Sequence, residues 1–377
     1  MRRALPLALL SVAALAACDG ATPTDARHAG GAVAARSENA PVYLVTFNDG
    51  VTDVRGAAAD MARGNGLALR HVREFAARGF SAVIPAARLA AVQADPRVKL
   101  VEPDRVVQLV FPVESNARPG GGGGGTGQST PWGITRVGGA GDGTGKTAWI
   151  LDTGVDLANA DLNTSRNCHT YFQGTSPDDG NGHGTHVAGT IAAKNNTIDV
   201  VGVAAGAYVC SVRVLGNSGS GSYEGIVNGV NFVAANGGNG DVANMSLGGS
   251  GSNATLENAI RDAAAKGIKF VLAAGNEGVN AGTTTPARLN AANVYTISAV
   301  DSNDCMPSWS NYGNPPVDYA APGVSIVSLR RGGGTTSMSG TSMAAPHAAG
   351  VLLLGSARSN GSASCDRDGN PDPIIHR

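Results

Sequence analysis

Residues 148–154 read Ala-Trp-Ile-Leu-Asp-Thr-Gly, an apolar run that ends on an aspartate and a turn. Similar apolar, β-branched runs recur along the chain, and helical patterns separate them. The other predicted strands cover 209–215, 242–246, 268–274 and 294–300, and the predicted helices cover 183–193, 223–235, 254–266 and 342–354. Apolar strands that alternate with helices indicate a buried, mostly parallel central sheet with helices on both faces. The predicted fold class is therefore α/β.

A smaller unit precedes this sheet. Residues 41–110 contain short strand patterns at 42–47, 80–84, 98–101 and 106–110 and helical patterns at 52–64 and 86–94. Two helices on a small sheet are typical of an α+β module. Pro119 and six glycines follow this module, and a run of that kind is a linker.

The first residues indicate export from the cytoplasm. Arg2 and Arg3 precede an apolar stretch, 4–17, that is too short to span a bilayer. Residues 15–18 read Leu-Ala-Ala-Cys and resemble a bacterial lipobox, in which Cys18 would be lipidated. An ordinary signal peptide cleaved near Ala17 is the alternative. Both interpretations predict a secreted or extracytoplasmic protein, with a membrane attachment only through Cys18.

Without Cys18, four of the five cysteines remain, and they allow three pairings. In an oxidising compartment, two disulfides are the expected state. Proximity in the sequence favours Cys168–Cys210 and Cys305–Cys365, and free buried thiols are the alternative.

Composition excludes some classes of partner. Lys and Arg number 28 against 29 Asp and Glu, a net charge of −1, and no basic block occurs. A nucleic-acid partner therefore has no electrostatic support. No apolar run reaches about 18 residues, which excludes a polytopic membrane protein.

Three segments carry the predicted chemistry. Asp152 ends a buried strand, His183 lies in Asn-Gly-His-Gly-Thr-His (181–186), and Ser342 lies in Gly-Thr-Ser-Met-Ala-Ala-Pro-His (340–347). A nucleophilic hydroxyl needs a base, and the base needs a carboxylate that fixes its tautomer. One aspartate, one histidine and one serine, each in a glycine-framed turn, supply these three parts.

In this order the segments resemble the subtilisin-like serine proteases, or subtilases, and within them the proteinase K and aqualysin branch. The resemblance implies that Asp152 orients the base, His183 is the general base and Ser342 is the nucleophile. Asn276, in Ala-Ala-Gly-Asn, matches the residue whose amide donates to the oxyanion.

The resemblance also implies a groove for an extended peptide, lined by two edge segments in which glycines allow close backbone approach. The matching residues are Gly219, Ser220, Gly221, Ser246, Leu247 and Gly248. Protein and peptide substrates therefore suit the site better than small esters.

No organic cofactor is implied, but structural Ca²⁺ is plausible by resemblance. Asp318 matches a calcium carboxylate of the branch, with the carbonyls of Ala292 and Val294 as its partners. Asp318 as a simple turn residue is an equal alternative. The polar stretch 366–370 is interpreted as a solvated tail.

The resemblance extends to the organisation of the chain. Residues 41–110 resemble the family's inhibitory propeptide, which assists folding and then blocks the substrate groove. The expected divisions are a signal peptide with a lipobox-like end (1–18), a tether (19–40), the propeptide (41–110), a Gly-rich linker with the activation cleavage (111–129) and the peptidase domain (130–377).

The expected protein is a self-processing serine endopeptidase, secreted or lipid-tethered, that works through an acyl-enzyme. The alternative is a non-catalytic surface lipoprotein that binds peptides in the same groove.

Overall fold

The computed structural model describes residues 41–109, 127–355 and 357–377. The predictions for 1–18 and 19–40, and for the glycine run of the linker, lie outside these residues. Across the described ranges, no helix has the length and apolar character needed to cross a membrane.

The small module predicted before the linker has its own sheet and core. Its antiparallel sheet has the strand order β2-β3-β1-β4, and two helices pack on it. The elements are β1 (Val42–Phe47), α1 (Val54–Asn65), β2 (Ala68–Arg73), β3 (Gly79–Val83), α2 (Ala86–Gln93), β4 (Val98–Pro103) and β5 (Val106–Leu109). Phe47, Met61 and Phe80 are among its buried residues. The structure therefore shows the α+β module, and β5 leaves it to pair elsewhere.

The rest of the described chain is built on a nine-stranded sheet. The helices are α3 (Trp132–Arg136), α4 (His183–Ala192), α5 (Tyr223–Asn236), α6 (Ala254–Ala264) and α7 (Thr341–Leu354). The strands are β6 (Gly141–Asp142), β7 (Thr147–Asp152), β8 (Thr170–Tyr171), β9 (Ala204–Ala205), β10 (Tyr208–Arg213), β11 (Ser220–Ser222), β12 (Val242–Met245), β13 (Leu247–Ser250), β14 (Lys269–Ala273), β15 (Thr284–Thr285), β16 (Val294–Val300), β17 (Val317–Pro322), β18 (Ile326–Leu329), β19 (Thr335–Met338), β20 (Arg358–Ser362) and β21 (Pro373–His376).

The order of the large sheet is β20-β21-β17-β16-β14-β12-β7-β10-β8, and only the β20–β21 pair is antiparallel. Alternate residues of β7 face different cores: Ile150 packs with α4 and α7, whereas Trp149 and Leu151 pack with α5 and α6. The sheet is thus covered by helices on both faces, and the α/β prediction is confirmed.

The carboxyl-terminal residues correct one expectation. The stretch 366–370, interpreted as a solvated tail, is mostly exposed, but it is a loop rather than a tail. Strand β21 follows it and extends the large sheet beside β17, and Ile374 and Ile375 are fully buried. Strand β21 has only four residues and follows a polar loop, so the sequence contains no apolar run long enough to predict it.

The large unit forms hydrogen bonds with two residues that precede its predicted start at residue 130. Gln128 and Ser129, assigned to the linker, are already bonded to the body of the protein, since the Ser129 amide donates to the carbonyl of Asp199 at 3.0 Å. Both predicted disulfides, Cys168–Cys210 and Cys305–Cys365, are present.

Asp372, in the loop before β21, is a fully buried carboxyl at the edge of the sheet. One oxygen accepts from the Ser298 hydroxyl at 2.6 Å, and within the described chain the other has no hydrogen-bond partner. Burial, together with the negative charges of Asp366, Asp368 and Asp318, raises the pKa of Asp372 to about 7. Between its ordinary value of 3.8 and this value, the folded state binds more protons than the unfolded state, so stability falls as pH rises.

We therefore expect Asp372→Asn to leave stability unchanged at pH 4 and to raise the free energy of unfolding by about 1–3 kcal/mol at pH 8, because the neutral amide removes a buried charge. Urea unfolding at the two pH values measures the difference. Asp368→Asn removes the same charge from an exposed neighbour and should change stability by less than about 0.5 kcal/mol. Equal gains in both variants would contradict the explanation by burial.

Candidate active site

Three neighbouring parallel strands end at the same edge of the large sheet. Strands β7, β12 and β14 are adjacent and parallel, and they end at Asp152, Met245 and Ala273. Helices α4 and α7, which begin at His183 and Thr341, pack against each other on one face of this sheet. The chain segments that carry the predicted catalytic residues therefore converge where open α/β sheets bind ligands.

Asp152 and His183 form a buried pair. The imidazole Nδ1 lies 2.8 and 3.0 Å from the two carboxylate oxygens, and both side chains are at most 1 % exposed. Because Nδ1 donates to the carboxylate, Nε2 of a neutral imidazole is the acceptor. Nε2 is buried and has no hydrogen-bond partner among the described residues. The pair therefore presents a base whose tautomer is fixed.

Ser342 is the second residue of α7 and lies over the end of β12. Its hydroxyl donates to the carbonyl of Ser246 at 3.4 Å, and the Ser246 hydroxyl donates to the carbonyl of Ser342 at 2.9 Å. Strand β12 is the direct neighbour of β7, which carries Asp152. The structure thus brings Ser342 to the edge that holds the Asp152–His183 pair, but it does not hydrogen-bond Ser342 to His183. Such contacts often shorten only when substrate binds.

Asn276 follows β14 and is oriented by the first residue of α7. Its Oδ1 accepts from both the amide and the hydroxyl of Thr341, each at 2.9 Å. Fixing the oxygen of an amide also fixes the direction of its NH₂ group. Asn276 is therefore held as an oriented donor beside the amino-terminal end of α7, where backbone N–H groups favour negative charge.

The two edge segments predicted to bind a peptide lie on either side of β5. Strand β11 pairs antiparallel with β5 on one side and β13 on the other, and the Leu109 amide donates to the carbonyl of Gly219 at 2.8 Å. A Cβ at Gly219 would come within 2.6 Å of the Leu109 side chain, so the absence of a side chain allows this approach. Ser246 is the exception, since it lies beneath Ser342 rather than along the groove.

Side chains of β5 alternate between the groove and solvent. Val107 and Leu109 are buried, whereas Val106 is 72 % exposed. A small pocket of about 20 Å³ lies beside the groove, next to the loop that carries Asn276. Its walls are formed by Gly248, Gly249, Ala273, Ala274, Gly275, Glu277, Thr284, Thr285 and Ala287. The groove therefore accepts an extended chain with apolar side chains at alternate positions.

The small module also supplies the end groups of two helices in the large unit. The Glu102 carboxylate accepts from the amides of Ala254 and Thr255 at 3.0 and 2.7 Å, at the start of α6. Asp104 accepts from the amide of Glu224 at 2.9 Å, at the start of α5. Carboxylates at helix amino termini satisfy unpaired N–H groups and oppose the helix dipole.

Glu224 is the most connected residue of this contact. Its side chain is 4 % exposed and accepts from the Ser81 hydroxyl at 2.6 Å, pairs with Arg70 at 3.0 Å and lies 2.9 Å from Nδ1 of His71. Burial alone would raise its pKa, but the hydrogen bonds from His71 and Ser81 lower the pKa of Glu224 below its ordinary value. Three side chains of the small module thus converge on one buried anion of the large unit.

Asp318, one of the residues predicted to bind calcium, is a partly buried carboxylate. Asp318 lies in β17 and accepts from the Thr296 amide at 2.8 Å, and burial raises the pKa of Asp318 to about 6. No set of three or more His, Cys, Asp or Glu residues in the described chain could hold a metal ion. The site of Asp318 with the carbonyls of Ala292 and Val294 stays a prediction.

A second set of oxygens was not predicted. The Gln128 Nε2 lies 2.6 Å from the carbonyl of Lys194, 3.1 Å from Oδ1 of Asn196, 3.4 Å from the carbonyl of Ile198 and 3.1 Å from that of Val200. An NH₂ group has two hydrogens for these four acceptors. Sequence patterns miss such a set because three of its four oxygens belong to the backbone.

Asp161 adjoins this oxygen set. It is fully buried, one carboxylate oxygen accepts from the Asn196 Nδ2 at 2.6 Å, and within the described chain the other has no partner. Burial raises the pKa of Asp161 to about 6. An excess of oxygen acceptors beside an unsatisfied carboxylate suits a hard cation such as Ca²⁺.

Comparison with known proteins identifies the family of the chain. The model of the subtilase family matches residues 143–364, and the chain belongs to this family. The M-protease of Shouchella clausii (strain KSM-K16) is 40% identical over 270 residues, which cover 70% of this chain and 65% of the relative. Subtilisin-like protease 1 of Trichophyton equinum is 38% identical over 308 residues, which cover 79% of this chain and 59% of the relative.

Subtilisin Savinase of Lederbergia lenta is 44% identical over 233 residues, which cover 60% of this chain and 84% of the relative. The crystal structure of a cold adapted subtilisin-like serine proteinase matches with a TM-score of 0.58 and 35% identity, over 65% of this chain and 97% of that chain. The chain thus spans about three fifths of the length of the first two relatives, and the proteinase K branch stays a prediction.

Proposed function

We propose that the protein is a serine endopeptidase that hydrolyses peptide bonds in proteins through an acyl-enzyme. The observation that carries this proposal is the buried Asp152–His183 pair at the sheet edge that also holds Ser342, beside a groove for an extended chain. The Ser342 hydroxyl attacks the carbonyl carbon while His183 Nε2 takes its proton. His183 then protonates the leaving amine, and water releases the acyl group by the same steps in reverse.

Charge that develops in this reaction has fixed partners. Asp152 stabilises the imidazolium, and the Asn276 amide with the backbone N–H of Ser342 stabilises the oxyanion. The antiparallel edges β11 and β13 bind the main chain of the substrate, which favours peptides over small esters. A peptide-binding protein without catalysis would use the same groove, but it would not need the buried Asp152–His183 pair.

In the same proposal, residues 41–110 are an inhibitory propeptide and the protein is a zymogen. Strand β5 fills the groove that a substrate would occupy, and Glu102 and Asp104 cap the helices α6 and α5. Cleavage in 111–129 would separate the two parts. Export through residues 1–18, with Cys18 as the lipid anchor of the precursor, completes the proposal.

We expect Ser342→Ala to lower hydrolysis of casein by a factor on the order of 10⁴ or more and to leave residues 41–110 attached, so that the protein stays at the size of the precursor. Gel analysis and a casein assay measure both effects. The control is Ser337→Ala, which changes an exposed serine of β19. This variant should lose residues 41–110 and hydrolyse casein as the wild type does. Wild-type protein that binds peptides without cleaving them would support the non-catalytic alternative.

Inhibition by the propeptide should depend on Glu224. We expect Glu224→Gln to raise the inhibition constant of added 41–110 by about tenfold or more, because the ion pair between Arg70 and the buried Glu224 carboxylate is lost. Inhibition kinetics with a peptide substrate measure the constant. Asp142→Asn, an exposed change in β6, is the matched control, and equal inhibition of both variants would argue against this contact.

Structural calcium is common in subtilases, and we propose that Ca²⁺ binds the oxygen set around Gln128, which is formed by Lys194, Asn196, Ile198 and Val200, together with Asp161. The ion would neutralise a buried carboxylate and fix the loop 194–200. No catalytic step depends on it.

Adding Ca²⁺ should raise the melting temperature of the wild type, and a chelator should reverse the rise. Asp161→Asn should lose most of this shift. In the wild type the shift should shrink below about pH 6, where protons compete for Asp161. Asp318→Asn separates the two candidate sites: if only that variant loses the shift, the ion binds at Asp318 instead.

A further inference from the structure

Asp179 is a buried carboxylate just before α4 that the proposed reaction does not use. It is 1 % exposed and accepts five hydrogen bonds. One oxygen accepts from the Thr153 hydroxyl and from the amides of Asn181 and Gly182, each at 2.9 Å. The other accepts from the amide and the hydroxyl of Thr185 at 3.0 and 2.6 Å.

These bonds join the two halves of the catalytic pair. Thr153 directly follows Asp152, and its amide donates to the Asp152 carboxylate at 2.7 Å. The Thr153 hydroxyl donates to Asp179 and accepts from the amide of Gly184, the residue after His183, at 3.1 Å. The end of β7 and the start of α4 are therefore fixed to each other through one hydroxyl and one carboxylate.

Helix capping explains only part of this arrangement. The N-cap residue of α4 is Gly182, which has a φ of 115° and no side chain to accept a hydrogen bond. Asp179 takes over this role for the amides of Gly182 and Thr185. A cap needs no bond to Thr153, because Thr153 belongs to the neighbouring strand end rather than to the helix.

We propose that Asp179 is a positioning residue for hydrolysis: through the Thr153 hydroxyl it fixes the His183 imidazole relative to the Asp152 carboxylate. This inference rests on the proposed function. Displacing a catalytic group by about 1 Å costs about 100-fold in rate, so loss of this link should slow the chemical step. Substrate binding should be spared, since the groove is built from β11 and β13.

The test uses the complete chain and three variants. Thr153→Val replaces the hydroxyl by a methyl group of similar size, and Thr153→Ser keeps the hydroxyl. Asp179→Asn replaces one of the two accepting carboxylate oxygens by an NH₂ group, which cannot accept a hydrogen bond. A fluorophosphonate titrates active sites, so that unfolded protein does not enter the kcat value. A chromogenic peptide anilide then gives kcat and KM separately.

We expect kcat of Thr153→Val to fall about 10- to 100-fold with KM within about twofold of the wild type, and Thr153→Ser to recover most of the loss. Asp179→Asn should lower kcat similarly. Thr164→Val is the matched control, since its hydroxyl donates only to the Leu157 carbonyl at 3.0 Å, and it should keep kcat.

Three results would overturn the proposal: wild-type kcat in Thr153→Val, equal losses in Thr153→Val and Thr153→Ser, or a change confined to KM or to melting temperature. If Asp179→Asn does not fold, the two Thr153 variants still decide. Failure of the proposed function itself is a different outcome, because the wild type would then show no hydrolysis that depends on Ser342.

Discussion

The hydrogen bonds between the Asp152 carboxylate and the His183 imidazole are the contact on which the account of this site depends. The two residues are 31 positions apart, and both side chains are buried. A buried carboxylate is costly unless it is paired and hydrogen-bonded, and here an imidazole and a backbone amide provide that compensation. The contact forms only if β7 ends and α4 begins at the same place, which the parallel sheet and the packing of α4 on it ensure.

The contact between the small module and the large unit follows a similar electrostatic rule. Glu102 and Asp104 lie at the amino ends of two helices, and Arg70, His71 and Ser81 surround Glu224. Each unit thus satisfies polar groups that the other would leave exposed to water. This complementarity, together with a strand shared between two sheet edges, explains how one segment could both stabilise the large unit and occupy its groove.

The sequence predicted the parts of the fold that have strong local patterns. The five apolar runs became β7, β10, β12, β14 and β16 because a strand buried on both faces must be apolar throughout. Most of the shorter or more polar strands were missed. Among them, β2 is mostly exposed and polar, and β21 is short and follows a polar loop.

The candidate site was likewise predictable only where its residues lie in distinctive sequence segments. Asp152, His183, Ser342 and Asn276 lie in distinctive segments, and the structure brings these segments to one edge of the sheet. The oxygen set around Gln128 was not predictable, because every residue has a backbone carbonyl and the residue types do not show which carbonyls converge. Asp179 was missed for another reason: its importance depends on a contact with Thr153, which only the folded chain brings near.

The most direct test of the central claim is to locate a fluorophosphonate adduct by mass spectrometry of the mature protein. The account predicts one phosphonyl group per chain, on the peptide that contains Ser342, and no adduct when His183 is replaced by alanine. An adduct on another serine, or equal labelling of Ser342 without the imidazole, would show that the sheet edge does not assemble a working nucleophile and base.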